Sequence, residues 1–71
     1  MSDNVATLMI AQWEIRAAAN MLVSARGDVA EEHADEQIAR AIAGGKAGEE
    51  VVWRAIASEI RDIRDENRAQ A

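Results

Sequence analysis

The sequence predicts an all-α fold, a compact three-helix domain, on three observations. Proline is absent, and the four glycines fall between apolar-periodic stretches rather than inside them. Alanine, glutamate and arginine are abundant, and all three favour helix. Apolar residues recur at alternating spacings of three and four, which draws a stripe along a helix. Seventy-one residues make a single helical domain, 1–71. A chain of this size buries only about 60% of the surface its unfolded form exposes. Without cysteine, neither disulfides nor thiolate metal sites can supplement that thin core. Tight helix packing or association with another chain is left to do so.

Helix one is expected over about residues 4–26. Ser2, Asp3 and Asn4 offer side-chain oxygens for its first free N–H groups. Leu8, Ala11, Ile15, Ala18, Leu22 and Ala25 form its stripe. Gly27, one step after Arg26, suits the left-handed residue that commonly ends a helix.

Helix two is expected over about residues 29–43. Asp28 followed by Glu31 reads as an aspartate version of the capping box, starting it at once. Its stripe of Ala30, Ala34, Ile38, Ala41 and Ile42 is narrow and mostly small, so a bulkier neighbour can approach closely. Gly44 and Gly45 end it, and Lys46-Ala47-Gly48 complete the connection.

Helix three is expected over about residues 49–68. Val52, Ile56, Ile60 and Ile63 share a face with Trp53 on its flank, where that indole reads as a core anchor. Glu50 with Arg54, and Arg61 with Asp65, are spaced as four-residue ion pairs. The short turn at Arg26-Gly27-Asp28 makes helices one and two antiparallel or sharply angled neighbours. Helix three folds back to cover them.

Helix one carries more oil than such a core requires. Met9, Trp13, Ala17 and Met21 lie well away from the stripe centred on Leu8, Ile15 and Leu22. A helix apolar nearly all round is normally buried nearly all round. Either helix one lies centrally and packs both faces within the chain, or these four residues form a partner surface. Tryptophan and methionine are enriched in interface cores. The partner is then a second copy, giving a homodimer, or a larger complex in which this chain is an accessory subunit.

Chemistry is sparse. His33 sits among Glu31, Glu32, Asp35 and Glu36, but the spacings of di-iron and zinc helical motifs are absent. The only hydroxyls are Ser2, Thr7, Ser24 and Ser58, so no catalytic triad assembles around one histidine. Gly44-Gly45-Lys46-Ala47-Gly48 lacks the spacing of a phosphate loop. No catalytic residue, metal ligand or cofactor is expected, and the chain is not expected to be an enzyme. The net charge of −5 repels nucleic-acid phosphates. No apolar run has the roughly 20 residues of a membrane span. The start Met1-Ser2-Asp3-Asn4 lacks the basic residues of a secretory signal, so a cytoplasmic location is expected. An alternative function uses Asp28, Glu31, Glu32, Asp35 and Glu36 as an acidic face that imitates nucleic acid and occupies a basic groove of a nucleic-acid-handling enzyme.

From Ala18 to Asp65, three pieces stand in order: Arg26-Gly27-Asp28 with Ala30, Ala34-Asp35 with Ile38, and Val52-Trp53-Arg54 with Ile56. Gly44, Gly45 and Gly48 separate the second from the third. In these pieces the chain resembles a group of short alphaproteobacterial three-helix proteins whose function is unassigned. The resemblance implies the helical architecture and carries over no site residues.

Overall fold

The computed structural model describes the backbone of residues 2–70 and the side chains of residues 12–70. The order is α1 (Ser2–Arg26), a 3-10 turn (Gly27–Val29), α2 (Ala30–Ala43) and α3 (Ala47–Gln70), with no strand among the described residues. The expected separation into three helices is not found as such. The 3-10 turn carries α1 into α2 without a coil residue, so residues 12–43 form one helical stretch and α3 a second. That first stretch is bent. Straight, it would be about 48 Å long, more than the 43 Å that is the largest dimension of the molecule. Gly27, at φ +57°, is where the chain turns.

Continuity also explains why the expected Asp28 capping box does not form. Val29 holds the cap position of α2 and makes no side-chain hydrogen bond there. The Ala30 N–H donates to the Gly27 carbonyl within the 3-10 turn, so a free amide that a cap would serve is already occupied. Glu31 is thereby released for other partners.

The second end is sharper. The Lys46 N–H donates to the Ala41 carbonyl at 2.8 Å and the Gly45 N–H to Ile42 at 3.1 Å. With Gly45 at φ +68°, this is the Schellman arrangement that closes a helix on a left-handed residue. The turn is complete at Lys46, whose carbonyl accepts from the Glu50 N–H at 3.0 Å. Ala47 and Gly48, expected in the connection, therefore lie in the first turn of α3.

Both other helices dock on α3. α2 runs antiparallel to it, with Glu31 near Arg61 and Arg64 and His33 beside Trp53. α1 runs in the same general direction as α3, with Arg16 reaching Glu59 and Val23 close to Ile60 and Asn67. The buried core is Ala19, Ala30, Ala34, Ile56, Ala57, Ile60 and Ile63. Four of those seven are alanines, which lets the helix axes come near the lower end of the usual 8–10 Å. Ile15, Ala18, Leu22, Val23, Ile38 and Trp53 lean on this core without being fully covered. Among the described residues, no large side chain is completely buried.

Three expectations shift with this packing. Ala25, Ile42 and Val52, assigned to apolar stripes, are exposed. Ala19 and Ala57, which the stripes omit, are almost entirely buried. Arg61 pairs with Glu31 on α2 instead of Asp65, whose carboxylate lies 3.7 Å from Arg64. The Glu50–Arg54 pair forms as spaced, at 2.9 Å.

Candidate interaction surface

Apolar side chains encircle α1 nearly evenly, while α2 and α3 are one-sided. The core uses the side of α1 that carries Ile15, Ala18, Ala19, Leu22 and Val23. At about 100° per residue, Trp13, Ala17 and Met21 fall on the opposite side. Trp13 is 75% exposed and Met21 72%, with Ala17 half-covered between them. Neither α2 nor α3 covers them, so α1 packs on one side only. Met9, grouped with these residues by the sequence, lies outside the described side chains.

Charge is sparse on this face, with Glu14 its one exposed carboxylate among the described residues. Residues 17–25 contain no charged side chain. Gln12, Glu14, Asn20 and Ser24 are exposed and give the face a mostly uncharged polar rim. A large apolar centre with a polar margin is the ordinary anatomy of a protein–protein contact. On one flank the face opens into a groove of about 580 Å³ between α1 and α3, walled by Trp13 and Ile15 and by Ala55, Ser58 and Glu59. The α3 wall has no periodic signature of its own, because all three of its residues are small or polar.

Arg16 holds α1 at this edge. Its guanidinium donates to Glu59 at 2.8 Å and to Glu66 at 3.0 Å. These bonds, Glu59's before Glu66's, raise the proton affinity of Arg16 above its ordinary value. The positive charge beside Trp13 is thus already engaged within the chain.

The five acidic residues do not act as one face. Glu31 turns back toward α3, accepting from Arg64 at 2.6 Å and Arg61 at 3.2 Å. Asp28, Glu32, Asp35 and Glu36 remain exposed. Glu32 and Glu36 line a shallow hollow with Arg26, Val29 and His33. His33 is half-buried, its ring edge-on to Trp53 with centroids 5.8 Å apart. Trp53 itself rests on the core cluster, as a core anchor would. Among the described residues, no three His, Asp or Glu side chains gather to hold a metal ion, and no helix is long and apolar enough to cross a membrane.

A second apolar group flanks the Gly44–Lys46 turn: Ile42, Val51 and Val52 are each about half or more exposed. Val51 and Val52 are neighbours, about 100° apart on the helix, so one core face cannot absorb both. No family model matches the chain, and neither does any curated protein or solved structure.

Proposed function

We propose that this chain is a small helical protein–protein interaction module or accessory subunit, whose binding surface is the outer face of α1. One observation carries the reading: Trp13 and Met21 stand about three-quarters exposed on the side of α1 turned away from its own core. An exposed tryptophan costs solvation free energy that a monomer does not recover, and buried tryptophans dominate contact energies. The mimic of nucleic acid is supported less well, because Glu31 is engaged by two arginines of α3.

The test compares the native chain with Trp13→Glu in capture from the native host, with circular dichroism to verify folding. Trp13 lies outside the core, so the variant should keep its helices while losing its bound partner, whether foreign or a second copy. Unchanged capture and unchanged sedimentation in the variant would remove the proposed surface.

A further inference from the structure

We propose that α1 is an exchangeable arm: rotation at Gly27 merges α1 and α2 into one helix, and two copies of the chain trade their first helices across α3. The proposal does not depend on the outer face of α1, because Trp13, Ala17 and Met21 lie off the α1–α3 contact before and after the exchange.

The connection is built like a hinge. No coil residue separates α1 from α2, only the 3-10 turn Gly27–Val29, and a short 3-10 stretch inside a longer helix often marks a hinge. On either side of Gly27 the backbone stays close to helical, with Arg26 at φ −120°, ψ −13° and Val29 at φ −95°, ψ 5°. Gly27 alone in this segment has a positive φ, +57°. Glycine populates the two signs of φ about equally, so this residue passes readily to the right-handed region. That passage makes residues 12–43 one straight helix and carries α1 off its own α3.

What α1 leaves behind is recovered on a second copy. Beyond the turn α1 is held mainly by α3. Ala19 is buried in the shared core, and Ile15, Ala18, Leu22 and Val23 lean on it. Arg16 bonds to Glu59 and Glu66. A straightened chain uncovers this apolar stripe together with the matching side of α3. Two such chains, set antiparallel about Gly27, give each α3 the other's α1 and remake every one of these contacts. Exchange of an identical element is a ready route to a dimer, because the interface is the native one and only the hinge differs. The turn at Gly45 is not equivalent. It is tied by the 2.8 Å bond from the Lys46 N–H to the Ala41 carbonyl, and α2 beyond it is locked to α3 by Ala30 and Ala34 in the core.

The test acts on Gly27. A Cβ there meets no atom within 4 Å, so Gly27→Ala acts through φ alone and disfavours the left-handed bend about tenfold. A dimer straightens two hinges, so its association constant should rise about a hundredfold. In a sedimentation series, Gly27→Ala should reach twice the 7.7 kDa of one copy at far lower concentration than the native chain.

Charge reversal reports whether helices are exchanged. In the Gly27→Ala background, one chain carries Arg16→Glu and another carries Glu59→Arg with Glu66→Arg. Each alone sets like charges between α1 and α3. Exchange between the two chains pairs opposite charges at both contacts, so an equimolar mixture should form the mixed dimer in excess of either self-pair, read by native mass spectrometry. A folded Gly27→Ala chain that stays a single copy overturns the proposal, as does a mixture without preference for the mixed dimer. Should Gly27→Ala fail to fold by circular dichroism, the same charge variants on the native hinge decide by the same reading. Trp13→Glu should leave the exchange unchanged. A dimer that this substitution dissolves is held by the outer face of α1 and refutes the exchange.

Discussion

Arg16 on α1 donates a 2.8 Å hydrogen bond to Glu59 on α3, 43 residues along the chain, and this pair closes the edge of the slab beside Trp13. It orients α1 on α3 where the apolar contact is only partial: Ile15 and Leu22 lean on the core without being enclosed.

Arg16→Gln should lower thermal stability, and a double-mutant cycle with Glu59→Gln should show coupling that weakens with salt. The proton affinity of Arg16 is raised, so its contribution is fully present below the ordinary arginine range. It is lost only as pH rises through the raised value. The difference between native and variant melting temperatures should therefore be the same at pH 7 and pH 9. A difference that shrinks across that interval would contradict the assignment.

Glu31 is the only carboxylate among the described residues that bridges two arginines of another helix. Glu31→Gln should cost about 0.5–1 kcal/mol, read by urea unfolding at low salt. Glu32→Gln and Glu36→Gln, at exposed positions without such partners, should stay within about 0.5 kcal/mol of native. Equal losses at all three positions would argue against a specific tie between α2 and α3.

The alanines and isoleucines of the core are packed with little exposed surface. Ala34 is entirely buried and Ala57 nearly so. Leucine at either position should cost about 1–3 kcal/mol by forcing α2 and α3 apart. Ile60→Ala should cost about 2–4 kcal/mol. A domain of this length holds about 4–10 kcal/mol in all, so the Ile60 variant should unfold at far lower urea. A native-like midpoint would mean that the core lies elsewhere.

Two glycines in one segment should respond with opposite signs. Gly45 sits at φ +68°, and alanine there should destabilise by about 1 kcal/mol. Gly48 lies in the first turn of α3, where an added Cβ meets open space. Gly48→Ala should be neutral or stabilise by up to about 0.5 kcal/mol through the unfolded chain. Melting temperatures of the two variants on either side of the native value would verify the turn.

Helicity, the turn at Gly27 and the close at Gly45 were legible in the residues. They depend on local geometry: periodic apolar spacing, the freedom of glycine and the absence of proline. The partition of each helix between core and solvent was less legible. Spacing alone placed Ala25, Ile42 and Val52 inside and passed over Ala19 and Ala57. A stripe is wider than the line along which α3 touches it, and small residues mark that line without adding hydropathy. The capping box failed for a similar reason. Asp28 had the right spacing, but it lies inside the 3-10 turn, and the cap position of α2 falls to Val29, which makes no side-chain bond there.

Local physics in the sequence determined that this chain is helical, where it bends, and that α1 carries apolar side chains on every side. Tertiary structure decided which of those sides the chain itself uses. By docking both α1 and α2 on α3, it leaves Trp13, Ala17 and Met21 facing outward. A helix touching a single neighbour buries only one face, and no periodicity can say which face that will be until the neighbour is in place.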